Sequence, residues 1–172
     1  MAYEVNAHIC RVTRNLAEPN GLASYSVVII NNNTNTILGR LTGASADGRR
    51  AHEPLSNGNN PTSGMDRCGP TNMLRSLATT DTRLTAGAAQ NLRLGRELFR
   101  DRRDVLDALI DTAFDLGIPS LNITVADREE LEDAMVHPEA HSNLYVRVGG
   151  FSARFVELEP DVQLDILRRT VY

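Results

Sequence analysis

The sequence predicts an α/β fold. Strand-like apolar runs such as ASYSVVII at residues 23–30 and LNITVA at residues 121–126 alternate with segments of helical periodicity along the chain. The length, 172 residues, suits one domain with a single core. Aromatic residues make up only 5% and tryptophan is absent, while the 41% apolar content leans on alanine. Alanine buries little area, so the core is thin. Two readings stay open at this level: an ordinary aliphatic-rich domain, or a core completed by another chain.

Taken in order, residues 2–13 read as a weak strand, and residues 23–30 as a firmer one because the run ends in β-branched apolar residues. Residues 31–35 are an asparagine-rich turn, and residues 36–41 a returning strand. Residues 42–71 form a long irregular stretch dense in Gly, Pro, Asn and Ser. Loops longer than about 15 residues are uncommon in compact domains, and are functional, disordered or packed against something else. Residues 72–77 predict a short helix. A longer helix follows, capped by Asp101, with Val105, Leu106, Leu109, Ile110, Ala113 and Phe114 on one face and Gly117 as its stop. Residues 121–126 are a strand. Asp127 and Glu130 make a D-x-x-E pattern that opens a helix ending before Pro138. Residues 144–148 and 151–158 read as strands, and Pro160 starts a last helix with Val162, Ile166 and Leu167 on its apolar face.

The expected organisation is a single unit over residues 1–172. It divides into N-terminal strands at 1–41, the irregular loop at 42–71 and an α/β segment at 72–172. A net charge of -4 leaves no broad footprint for nucleic acid. No stretch approaches the roughly 20 apolar residues that span a bilayer, and no secretory leader is apparent, so the cytoplasm is the expected compartment. Cys10 and Cys68 show no C-x-x-C spacing, and His8, His52, His137 and His141 show no ligand spacing, so no metal is expected. The arginine run Arg93, Arg96, Arg100, Arg102 and Arg103 reads as a solvated face, with a docking surface as the alternative.

The C-terminal segment LYVRVGGFSARFVELEPDVQLDILRRT carries the functional signal. Read from the residues alone, Gly149 and Gly150 lie between two strand-like runs and make a two-residue hairpin turn. Arg147, Val148, Gly149, Gly150 and Phe151 also resemble the signature of the glycyl radical enzymes, in which Arg-Val-small-Gly-aromatic surrounds the radical glycine. The downstream helix with Gln163, Asp165, Ile166, Arg169 and Thr170 fits the same pattern. Upstream, Thr42-Gly43-Ala44 with Asp47-Gly48-Arg49 and Glu53-Pro54-Leu55, then Gly69-Pro70-Thr71, Phe114-Asp115-Leu116-Gly117 and His137-Pro138-Glu139, match further family motifs in order. Several short matches in sequence are far more specific than one.

The resemblance implies that this is the C-terminal part of a glycyl radical enzyme α/β barrel of the pyruvate formate-lyase-like superfamily, completed by a partner chain. It places the radical on Gly150, with Arg147, Val148, Gly149 and Phe151 supporting the loop. A Cα radical is stabilised when planar and conjugated with both flanking peptide groups, which a glycine, lacking Cβ, permits. In the family, hydrogen-atom exchange with a cysteine then yields a thiyl radical that attacks the substrate. That cysteine motif is missing here: Cys10 lies outside the match and Cys68 sits in D-R-C-G-P-T.

The resemblance therefore implies the radical-bearing small subunit of a split lyase, dehydratase or decarboxylase, inactive alone and oxygen-sensitive. Its partners would be a large catalytic subunit carrying the thiyl cysteine and an S-adenosylmethionine/iron–sulfur activating enzyme; the chain itself would bind no cofactor. The alternatives are an autonomous radical cofactor that rescues an oxygen-damaged enzyme, or a binding domain that has kept only the fold.

Overall fold

The computed structural model describes residues 2–30 and 33–172. The N-terminal region, expected as strands at 1–41, is largely helical, which corrects the strands at 2–13 and 36–41. Helix α1 spans Ala2–Asn15. Val5, Ile9, Val12 and Leu16 recur at helical spacing, a period-3.6 pattern that outweighs their β-branching. That stripe stays exposed, whereas Cys10 turns inward and is buried. The run at 23–30 contributes only the short strand β1, Val28–Ile29. The asparagine turn falls partly on residues 31–32, outside the described residues. The expected strand at 36–41 is instead helix α2, Thr34–Arg40. Tertiary packing overrides β-propensity here. Gly39 lies so close to the chain at Glu53 and Pro54 that an added Cβ would sit 2.5 Å from the Glu53 carbonyl oxygen.

The long loop ends two residues earlier than expected, because Pro70 takes the first position of α3, Pro70–Leu77, after Gly69. The loop is tied internally. The buried guanidinium of Arg49 donates to the carbonyl oxygens of Gly43, Arg50 and Glu53 and to Ser45 Oγ.

Strand β2, Gly87–Ala88, pairs in parallel with β1. Strand β3, Gln90–Leu94, is wholly buried, so Arg93, expected on a solvated face with the other arginines of its run, lies in the interior. It is followed by α4, Arg96–Arg100, and α5, Arg103–Asp115. Asp101 closes α4 rather than capping α5, whose N-cap is Arg102. Helix α5 ends in a Schellman motif: Gly117, at φ 80°, donates to Phe114, and Ile118 donates to Ala113. Of its predicted apolar face, Leu106, Leu109 and Ala113 are buried, while Val105 and Phe114 remain exposed.

Strand β4, Leu121–Val125, pairs in parallel with β3, Asn91 opposite Asn122 and Arg93 opposite Thr124. Helix α6 is Arg128–Val136. Asp127 stands at its N-cap without a capping bond. Together with Glu130 it holds Arg96 instead. The antiparallel strands β5, Tyr145–Arg147, and β6, Ser152–Arg154, follow; the second ends well short of residue 158, in a 3-10 turn at Phe155–Glu157. Helix α7, Pro160–Arg168, closes the fold.

Two apolar clusters result. One joins α3, β3 and α5 through Leu74, Leu92, Leu94, Leu106 and Ala113. The other joins α6, the β5–β6 hairpin and α7 through Leu131, Val146, Val148, Phe155 and Ile166. Between them lies a polar layer. Strand alternation sends Leu92 and Leu94 into the first cluster and Asn91 and Arg93 to the opposite face of the strand. Arg93, 2% exposed, donates to the carbonyl oxygens of Ile166 and Leu167, both at 3.0 Å. Burial pushes its pKa down to about 10. Val171 bridges to Arg93, so the C-terminal residues run parallel to β3.

Candidate functional site

The glycine pair occupies the tip of the β5–β6 hairpin. Arg147 pairs with Ser152, and the Val148 N–H donates to the Phe151 carbonyl at 3.0 Å, leaving Gly149 and Gly150 as the two loop residues. The hairpin reading and the signature therefore describe the same feature. The two glycines differ. Gly149 is buried and Gly150 is exposed. Gly150 alone of the pair has a positive φ, 107°, in a region that residues with a side chain rarely enter. Nothing lies within 4 Å of where its Cβ would be, so backbone conformation rather than crowding within this chain calls for glycine. Phe151 is 43% exposed beside it.

Two guanidinium groups fix the hairpin. Arg147 reaches across its tip. Its Nη2 donates to the Gly150 carbonyl oxygen at 3.1 Å and to Asn122 Oδ1 of β4 at 2.8 Å, and its Nη1 donates to Ser152 Oγ at 3.2 Å. Its backbone N–H donates to Thr124 Oγ1 at 2.9 Å. Arg169, just past α7, donates to the carbonyl oxygens of Arg147 at 3.0 Å and Val148 at 3.1 Å. It also pairs with the buried Asp165 at 3.2 Å, whose other oxygen accepts from Ser63 at 3.2 Å. Gln163 Nε2 donates to the Phe155 carbonyl at 2.8 Å. The downstream helix singled out in the sequence is thus what anchors the hairpin from below. Thr170 donates to Asp66 at 2.6 Å, tying the same region to the long loop.

The sequence reading missed the floor on which Arg147 rests. Asn122 and Thr124 belong to a strand identified correctly, and their alternation with Leu121, Ile123 and Val125 was the available signal. It missed β3 altogether, where the alternation of Asn91 and Arg93 with Leu92 and Leu94 was present but masked by the arginine run.

The remaining candidates are dispersed. Cys10 is buried in α1 and Cys68 is exposed before α3; both are free thiols. His137 and His141 both bond the Asp133 carboxylate, at 2.9 and 2.6 Å. Among the described residues no group of three or more His, Cys, Asp or Glu is arranged to hold a metal ion. No described helix is long and apolar enough to cross a membrane.

A family model described as "Glycine radical" matches residues 55–156. The structure resembles one concerned with 1,2-propanediol dehydration in Roseburia inulinivorans, with a TM-score of 0.92 and 34% identity, over 99% of this chain and 22% of that one. It also resembles the glycerol-bound form of the B12-independent glycerol dehydratase from Clostridium butyricum, with a TM-score of 0.91 and 30% identity, again over 99% and 22%. A glycyl radical enzyme from Archaeoglobus fulgidus matches with a TM-score of 0.80 and 32% identity, over 85% of this chain and 19% of that one. The chain therefore spans about a fifth of the length of these relatives and corresponds to their C-terminal part.

Proposed function

This chain belongs to the glycine radical family, and from that premise we propose that it is the radical-bearing part of a glycyl radical enzyme, with Gly150 as the residue that stores the radical. Val148, Gly149 and Phe151 shape the loop and Arg147 holds it. An activating enzyme with S-adenosylmethionine and an iron–sulfur cluster removes one hydrogen atom from the Gly150 Cα. A cysteine thiol of a larger catalytic chain then returns a hydrogen atom to that carbon and becomes the thiyl radical that attacks a substrate of the dehydratase, lyase or decarboxylase type.

The observation that carries the division of labour is coverage: 99% of this chain superposes on 22% of a relative's. In this reading the catalytic cysteine and the rest of the barrel, which lie outside the part of the relative that these residues match, belong to the larger catalytic chain. The exposed apolar stripe of Val5, Ile9, Val12 and Leu16 on α1 supports a covering partner. In this reading the chain is one glycine radical unit, working anaerobically in the cytoplasm and inactive by itself.

The test is anaerobic activation with the activating enzyme and the candidate large chain. Wild type gives an organic radical whose α-hydrogen splitting collapses when glycine is deuterated at Cα. Gly150→Ala gives none, and Gly149→Ala keeps it. Air then cuts the chain at Gly150, releasing a fragment that begins near Phe151. Cleavage at Gly149, or survival of the activated chain in air, refutes the assignment. Rescue of an oxygen-cut full-length enzyme, with no need for a dedicated large chain, identifies a repair role instead.

A further inference from the structure

The carbonyl oxygen of Gly150 accepts a hydrogen bond from a cation, and the residue that aims this cation sits on another strand. We infer that Arg147 stabilises the radical electronically from the carbonyl side and that Asn122 of β4 is the positioning residue for it. This inference rests on the reading of Gly150 as the radical site.

The geometry begins with β4. Its alternation puts Asn122 and Thr124 on the face away from the first apolar cluster, under β5. Thr124 takes the Arg147 backbone N–H at 2.9 Å and Asn122 takes its guanidinium at 2.8 Å. The same Nη2 reaches the Gly150 oxygen at 3.1 Å. Asn122 is 4% exposed, and its amide nitrogen is buried without a partner among the described residues. A half-satisfied buried amide is costly. Among the described residues its side chain bonds only Arg147, so orienting that guanidinium is the role its placement supports.

The chemistry follows from the electronic structure of a glycyl radical. Spin on a planar Cα is shared between a donating amide nitrogen and a withdrawing carbonyl. A charge-assisted hydrogen bond is roughly twice as strong as a neutral one. Placed on the carbonyl oxygen, it strengthens the withdrawing side and draws spin off Cα. Asparagine suits the orienting position because its oxygen accepts from the guanidinium without neutralising it. An aspartate there would form an ion pair and blunt the charge that Gly150 feels.

The experiment has two arms. In the unactivated chain, the Gly150 carbonyl ¹³C resonance is compared among wild type, Asn122→Leu, Arg147→Gln and Arg147→Lys. Loss of the hydrogen bond shifts it upfield in the first two variants, and Arg147→Lys stays nearer wild type. After anaerobic activation by the activating enzyme, electron paramagnetic resonance reads the α-hydrogen splitting. It is larger in Asn122→Leu and Arg147→Gln than in wild type, because more spin remains on Cα, and it is close to wild type in Arg147→Lys. Asn122→Asp, which keeps an acceptor in place, falls between and replaces Asn122→Leu if that variant does not fold. Unchanged splitting in a folded, activated Asn122 variant overturns this inference and leaves the Gly150 reading standing. A wild-type radical whose splitting survives Cα deuteration of glycine overturns both.

Discussion

Arg169 and Asp165 form an ion pair at 3.2 Å, with side chains only 12% and 3% exposed, directly beneath the glycine hairpin. Removing one partner leaves a buried charge uncompensated, which costs about 3–5 kcal/mol. Arg169→Ala is therefore expected to lower stability by that order in urea denaturation. The paired change Asp165→Asn with Arg169→Met, which leaves no charge behind, costs less than Arg169→Ala alone. Amide exchange at Val148 and Phe151 should quicken in both variants, because the carbonyls of Arg147 and Val148 lose their donor.

Gly39 tests the packing of α2. A methyl group there meets backbone atoms of Glu53 and Pro54 at 2.5 and 2.7 Å, and backbone yields less readily than a flexible side chain. Gly39→Ala gains helix propensity but is expected to lose about 1–3 kcal/mol to overpacking. A denaturation midpoint at or above that of wild type would show that residues 53–54 move aside freely.

Asp133 ties α6 to the turn that leads into the hairpin. Hydrogen bonds from His141 first, and His137 second, hold its carboxyl below the ordinary value of 3.8. A carboxyl depressed on folding contributes stability above its unfolded pKa and loses it as pH falls through the lower folded value. Wild type should thus exceed Asp133→Asn in stability above the ordinary carboxyl value, and the difference should shrink as pH falls through the depressed folded value. A difference that grows as pH falls below the ordinary carboxyl value contradicts this account.

The two thiols are expected to be dispensable for chemistry. Cys68 is exposed in the loop before α3, and Cys10 is buried in α1, where its thiol donates weakly to Asn6 Oδ1 at 3.9 Å. Cys68→Ser should leave turnover of the activated complex unchanged. Cys10→Ser should lower stability slightly, by burying a hydroxyl, without loss of turnover per radical. Loss of turnover with the radical intact would make one of these thiols part of the reaction.

The sequence alone determined whatever depends on neighbours along the chain. The Gly149–Gly150 hairpin, the Gly117 stop of α5, β4 and the Pro160 helix start follow from φ preferences and short-range periodicity. These need only a few residues to specify them. The tertiary structure alone decided the elements whose cost is met from afar. Residues 34–40 became helical against their propensity because Gly39 packs on residues 53–54. Arg93 could be buried in β3 only because the end of α7, 73 residues away in sequence, presents carbonyl oxygens to it. Arg147 meets the Gly150 carbonyl within the hairpin, but its second anchor, Asn122, comes from a strand 25 residues earlier. Burying a charge or an amide demands partners in three dimensions, and residue spacing along the chain does not reveal which partners will arrive.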